Sequence, residues 1–446
     1  MTRVLVLGAG VAGLTIACRR ASQGETVVLE AQSRIGGSVR TIRQDGYVLE
    51  AGPNTLRTTE AAERLVHDLK LEPEVVLADG RAPRYILRYG APQPIVPGPP
   101  GLFTKVLTTR GKLRMLGEAR VPKRPDGVED ESVSEFFRRR FGEEAASYAA
   151  GPFVSGVYAG DPASLSMRSA FPKLWEAEGR SGSVILDAWK HRRDPRPKRP
   201  RTLNFRQGLA TLVEALAEGR NVVTGAAVTA LEGPRAEGPA WRATTADGRS
   251  FEGDVLVSTL GAPAVAKLLG DRLPRSRAAL AQVKSASVVV VLLAFRVASA
   301  GAAPRGFGVL IPHEDTWRSL GILYPSSLFA GRAPAGIAVT TSFLGGALDP
   351  ATPSQSDEEL FAIAEREVRF VQPGLGARVE RWIARWPSAI PQLPLQHHRT
   401  LAALEEDLAE LNGIGAPPRL IVTGPWRDGV ALGERIARGE AIGAAL

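Results

Sequence analysis

Residues 4–37 of the chain read VLVLGAGVAGLTIACRRASQGETVVLEAQSRIGG. Val4 to Leu7 have the pattern of a short buried strand, Gly8, Gly10 and Gly13 form a GxGxxG turn, and Val11 onward suits a helix. Each glycine has a mechanical task. Gly8 permits the tight turn, Gly10 lets the backbone approach a pyrophosphate, and Gly13 allows helix to pack on strand while the helix N-terminus, with Val11 and Ala12, faces the anion. Glu30 closes a second strand, Thr26 to Leu29, about 20 residues beyond the motif, where a carboxylate can accept hydrogen bonds from ribose hydroxyls. An acid at that point disfavours a 2′-phosphate. Strand, glycines, helix and acid together predict an adenine-dinucleotide site in an α/β fold.

After Glu30 and Ala31 comes Arg34-Ile35-Gly36-Gly37, a second glycine turn carrying a guanidinium, for which a nicotinamide dehydrogenase has no evident need. Glu50 and Gly52-Pro53-Asn54-Thr55 follow, and Gly424-Pro425-Trp426-Arg427-Asp428-Gly429-Val430 stands near the C-terminus. This set resembles the extended FAD fingerprint of the amine oxidase and protoporphyrinogen oxidase superfamily. The resemblance implies FAD as cofactor. It implies that Arg34, Gly36 and Gly37 lie near the pyrophosphate, Gly52, Pro53, Asn54 and Thr55 near the flavin ring, and Val228 against adenine, with Ala31 and Trp386 also among the cofactor contacts. Gly424, Gly429 and Val430 would sit at the flavin end, where a glycine turn opening a helix can face the N1–C2=O edge on which negative charge develops on reduction.

Between the dinucleotide pieces lie segments with little Rossmann pattern. Gly156-Val157-Tyr158-Ala159-Gly160-Asp161-Pro162, then Leu165-Ser166 and Phe171-Pro172, resembles a block characteristic of protoporphyrinogen oxidases. Read as residues alone, it is a loop capping a helix. Arg84-Tyr85-Ile86-Leu87 matches the segment whose arginine pairs with a substrate propionate in that family, so the resemblance makes Arg84 the carboxylate anchor, with Arg88 nearby as a substitute. A planar guanidinium suits the task, because it grips a carboxylate through two parallel hydrogen bonds. By the same correspondence Gly156, Leu310, Leu323 and Phe343 line a cavity for an apolar macrocycle, although each apolar residue alone also fits the core of a sheet.

The expected architecture is α/β: a Rossmann-type discontinuous FAD-binding domain (1–82, 205–264 and 396–446), a mixed-sheet substrate domain (83–97 and 265–395) and a helical membrane-association subdomain (98–190), with a basic loop at 191–204. With 446 residues, 44% of them hydrophobic, the chain is long enough to bury cores of this size. Its 56 Lys and Arg against 47 Asp and Glu, a net charge of +9, suit an anionic ligand or an acidic membrane surface. No aromatic interleaving or recognition motif suggests nucleic acid. The cationic run WKHRRDPRPKRPR, 189–201, reads as an exposed loop, either a solvated insertion or a contact for anionic lipid.

Cys18 is the one cysteine, so no disulfide framework or thiolate cluster is possible, and the adjacent His397 and His398 project in divergent directions. No metal is expected. The start, Met1-Thr2-Arg3 into a short strand, is unlike a signal peptide, and the longest apolar run, Val288 to Phe295, is far short of the roughly 20 residues of a spanning helix. The expectation is a cytoplasmic protein, monomeric or homodimeric, with peripheral contact at the inner face of the cell membrane.

No nucleophile–base constellation or paired-carboxylate motif stands out, so no catalytic side chain is assigned. What the family implies is hydride transfer from a methylene bridge of a tetrapyrrole to flavin N5, with oxygen reoxidising the flavin. Two departures stand at the flavin end: Gly433-Glu434 replaces an asparagine–aspartate-like pair, and Leu393 follows Trp386-Pro387-x-x-Ile390-Pro391-Gln392 where tyrosine is common. The rival readings are coproporphyrinogen III oxidation, a non-catalytic porphyrin-binding flavoprotein, and a flavin-dependent sugar mutase.

Overall fold

The computed structural model describes residues 2–95, 104–192, 200–235, 238–299, 301–313, 317–413 and 419–446. Val4–Leu7 is the centre of a five-stranded parallel sheet, in the spatial order Asn221–Val223, Thr26–Leu29, Val4–Leu7, Val255–Ser258 and Leu420–Val422. Strands from three distant stretches of chain thus build one sheet. Both faces are covered, as the unbroken apolar runs require. Val4, Val6, Val28 and Val257 pack under the helices Val11–Arg19, Ala210–Ala217 and Leu432–Ala445, whereas Leu5, Leu7, Val27 and Leu256 pack on the opposite side with Trp241, Val265 and Leu404.

A second sheet has seven strands in the order Arg378–Pro391, Ser285–Arg296, Ile337–Gly345, Ser319–Leu323, Gly308–Leu310, Arg84–Arg88 and Ala91–Ile95. Gly308–Leu310 pairs with Arg84–Arg88 in parallel and the other neighbours are antiparallel, so the sheet is mixed as expected. Alternation divides its side chains between two faces. Val289, Val291 and Leu293 meet the helix Asp357–Val371 through Leu360, Ala364 and Val368, and Val288, Val290 and Leu292 turn toward Tyr47, Leu49 and Ala51 at the edge of the dinucleotide part.

Helices from Thr109–Leu116 to Val184–Lys190 form a third body around Phe136, Val154, Met167 and Trp175. Its interior also holds an ionic cluster, because Arg140, Glu118 and Glu178 are each fully buried and paired. Among the described residues no helix is long and apolar enough to cross a membrane.

Asn221 to Leu231, strand-like in pattern throughout, is not one strand: the chain turns at Gly225, whose φ is +63°, so Asn221–Val223 joins the parallel sheet and Val228–Glu232 starts an antiparallel sheet with Trp241–Thr245. The basic run does not begin as loop either, since Trp189 and Lys190 close the helix Val184–Lys190, capped by the Ser183 side chain. Residues 193–199 of that run lie outside the described residues.

Candidate functional site

The turn after the first strand forms as its glycines demand. A Cβ on Gly13 would stand 2.1 Å from the Gly8 carbonyl oxygen, so any side chain would push the helix off the strand. The two glycine turns are bound together, because Gly36 N donates to Ala9 O at 2.8 Å and Gly10 bridges Gly36. Between them opens a cleft lined by Gly8, Gly10, Ala12, Gly37, Ser38 and Glu30 at the helix N-terminus. Glu30 Oε2 accepts from Ala9 N at 2.8 Å and Oε1 from Gln32 N at 2.9 Å, which leaves lone pairs for ribose hydroxyls. Ala226 N donates to Glu30 O, which ties the chain two residues before Val228 to the strand that ends at the cleft. Amide donors at a helix start, space that a Cβ would fill, and an acid at the ribose end fit an adenine dinucleotide.

Arg34 is turned into its own loop. Its guanidinium donates to Gly37 O at 2.8 Å and to Val39 O at 3.3 Å, and its Cζ stands 5.4 Å from the centre of the Trp386 ring, so it braces the turn and carries Trp386. The guanidiniums that line the cleft belong to Arg435 and Arg438 on the C-terminal helix, which the sequence reading missed. A signal existed. Leu432, Ile436 and Gly439 mark the buried face of that helix by their spacing, and Arg435 falls on it.

Gly52 lies against the second glycine turn: a Cβ there would stand 2.0 Å from Ser38 O. Trp386 Nε1 donates to Ala51 O at 2.7 Å, and the Trp386 ring is within contact of Gly52. Beside Pro53 and Thr55, Asn54 donates to Gly52 O at 3.0 Å and keeps a buried Oδ1 that has no partner among the described residues. Glu50 is buried behind this loop, accepting from Leu209 N, Asn204 and Thr41. Burial pushes its carboxyl above the ordinary range, and those bonds oppose the rise only in part.

At the C-terminal turn Gly424 lines the same cleft as Gly8 and Gly10. Gly429 and Val430 instead line an adjoining cavity of about 450 Å³ with Tyr158, Leu393 and His397. The block around Gly156 and the last glycine turn, 270 residues apart, thus meet. Tyr158 is pushed up to about 12 by burial and by Glu434, and its hydroxyl donates to Ala170 O. Burial likewise lowers the His397 pKa, and its Nε2 bonds Trp426 O at 2.7 Å. Among the described residues no cluster of His, Cys, Asp or Glu is placed to hold a metal.

The four outer residues share one face of the seven-stranded sheet. Leu310 pairs with Gly321, Gly321 with Phe343, and Phe343 with Val290, while Arg84 pairs with Gly308 and Gly308 with Leu323. Side chains in register or two residues apart point the same way. Trp386, opposite Val288, stands on that face too. Leu310, Leu323 and Phe343 are only partly buried within otherwise buried strands. Gly156 lies against them, since a Cβ there would meet Leu310 Cδ2 at 2.6 Å. Arg84 is exposed, stacks over Phe307 at 4.7 Å, and among the described residues has no ion pair. Arg88 is not its equal, because it pairs with Glu144 and lies over Tyr148 at 3.3 Å.

The sequence profile of the family described as flavin containing amine oxidoreductase matches residues 11–428. The chain is 31% identical to the chloroplastic protoporphyrinogen oxidase of Nicotiana tabacum, over 96% of this chain and 82% of that protein. It is 27% identical to the coproporphyrinogen III oxidase of Bacillus subtilis (strain 168), over 98% of this chain and 96% of the relative. A crystal structure from Exiguobacterium sp. 255-15, provisionally assigned as a protoporphyrinogen oxidase, matches with a TM-score of 0.80 at 23% identity, covering 99% of this chain and 98% of that one, and so shares the fold. Profile, relatives and the dinucleotide cleft agree, and the chain belongs to the flavin-containing amine oxidoreductase family as an FAD-dependent oxidoreductase.

Proposed function

We propose that this chain is a protoporphyrinogen oxidase, which takes six electrons from protoporphyrinogen IX to give protoporphyrin IX in haem biosynthesis. Oxygen is the acceptor in this reading and hydrogen peroxide the co-product, one for each electron pair. The observation that carries it is the shared sheet face. Among the described residues, a cation without an ion pair, three half-buried apolar side chains and the tryptophan beside the Gly52 loop share one face of the sheet, in adjacent rows across its strands. From the strand of Phe343 to that of Arg84 is three strand spacings, about 14 Å. A tetrapyrrole with a propionate at one corner suits that span.

FAD bound in the cleft supplies the two-electron acceptor. The chain's own residues orient and exclude water: Arg84 holds a propionate, Leu310 and Leu323 flank the pyrroles, and Phe343 stacks on one. Gly156 is bare so that the helix carrying it can close over Leu310. No side chain in this set is an acid or base. The cofactor therefore carries the redox chemistry and the protein the geometry.

The coproporphyrinogen III oxidase relative supports a second reading, the same oxidation on a substrate with four carboxylates. Against it stands the commitment of Arg88 to Glu144, which leaves Arg84 as the available cation of the strand Arg84–Arg88. We also assign a peripheral membrane contact to the helical body. Leu113, Leu116, Phe153, Leu186 and Trp189 are exposed there, and Lys112 and Lys190 stand among them. Such a surface would receive an apolar, air-sensitive substrate.

Arg84→Ala tests the anchor. KM for protoporphyrinogen should rise about tenfold with kcat little changed, because a bond to a remote carboxylate contributes to binding before and during the reaction alike. An unchanged KM would remove Arg84 from the site.

A further inference from the structure

Arg435 sits in the dinucleotide cleft without a counter-charge. Its Nη2 stands 3.3 Å from the place a Cβ on Gly10 would occupy, and its Nη1 reaches Ser38 Oγ at 3.3 Å, a long and weak bond. Among the described residues no carboxylate pairs with it, whereas its neighbour Arg438 is 3.3 Å from Asp428. Burial alone lowers its pKa, with no anion to hold it up. A half-buried guanidinium with no carboxylate partner is poorly solvated, so its retention in a cleft suits an anion that the folded protein alone does not supply. Of the carboxylates that line this cleft, Glu30 is tied to the amides of Ala9 and Gln32 and Asp428 to Arg438, Thr423 and Gly424, and neither is within ion-pair distance of Arg435, while the start of the helix Val11–Arg19 and the turn at Gly37 and Ser38 offer donors. Arg34 is committed to the carbonyls of its own turn.

We propose that Arg435 is the counter-cation for the diphosphate of the bound dinucleotide, clamping from the C-terminal helix an anion that the Gly10 turn holds with amides. The inference rests on the FAD assignment. A guanidinium can bond two phosphate oxygens at once, which adds charge and orientation to the amide cradle. The chain would thus hold FAD from both of its ends, and folding of the last helix and cofactor retention would be linked.

The test uses the full-length protein freed of flavin, titrated with FAD, ADP and riboflavin as wild type, Arg435→Met and Arg435→Lys. Met should weaken FAD and ADP about 10- to 100-fold and leave riboflavin, which has no phosphate, unchanged. Lysine should recover part of the loss. The flavin-free Met variant should melt no lower than flavin-free wild type, because an unpaired charge is gone, while its gain in melting temperature on adding FAD shrinks. If Met binds FAD and ADP as tightly as wild type or tighter, Arg435 is a spectator or a plug and the inference is overturned. If wild type binds neither FAD nor ADP, the flavin assignment itself falls.

Discussion

A methyl group at Gly13 would stand 2.1 Å from the Gly8 carbonyl, and no flexible side chain is there to move aside. Gly13→Ala should therefore yield protein that purifies without flavin, read by the absence of the flavin absorption bands; a fully yellow variant would contradict the close packing. Glu50 makes a different kind of prediction. Burial raises its pKa above the ordinary 4.5, so the fold favours the protonated form. Its contribution to stability is then complete below 4.5 and lost as pH rises through the raised value. Glu50→Gln keeps shape and acceptor and stays neutral, so the wild type should lose melting temperature relative to the variant as pH is raised above 4.5, and parallel curves would contradict the shift. Glycines such as Gly13 were legible because a fixed spacing encodes a steric demand. Glu50 and Arg435 were less so, because a lone sequence does not say which charges the fold turns inward.

The helical body rests on charge as much as on apolar packing. Arg140 donates to Glu118 and to the carbonyls of Val121, Pro122 and Gly182, and Glu178 joins Arg124 and Arg139 to the cluster. Burial pushes both carboxyls up, but bonds from Ser183 and Arg140 to Glu118, and from Arg139 and Arg124 to Glu178, outweigh it and hold them below the usual range. Their stabilisation is present above the ordinary carboxylate pKa and lost as pH falls through the depressed one, so this body should unfold early in acid. Arg140→Met leaves Glu118 without its guanidinium and should cost about 3–5 kcal/mol in urea unfolding; a loss below 1 kcal/mol would mean the cluster is incidental. Patterning could not reveal the cluster, since Arg138, Arg139 and Arg140 look alike until the helix is packed. Strands buried on both faces, such as Val4–Leu7 and Thr26–Leu29, were read to the residue, but the break at Gly225 was hidden because apolar residues continue on either side of it.

One cleft and one sheet face meet at the loop Ala51–Thr55, and this junction is what the whole chain is folded to make. The cleft takes strands from the beginning, middle and end of the sequence, and the face takes Arg84 from one excursion and Leu310, Leu323 and Phe343 from another. Those interruptions are why the proposed substrate face was legible only through family likeness: no local pattern links Arg84 to Phe343, and only the register of four strands does. If that face takes a tetrapyrrole, as proposed, the flavin would lie toward the Gly52 loop, which Trp386 ties to the sheet. The most direct measurement is porphyrin fluorescence developed by the purified yellow protein in air from protoporphyrinogen IX and, separately, from coproporphyrinogen III. Rapid development from protoporphyrinogen, slower development from coproporphyrinogen, and bleaching of the flavin bands when oxygen is withheld are the expected results. A flavin that neither porphyrinogen bleaches, or faster oxidation of coproporphyrinogen, would contradict the proposed reaction.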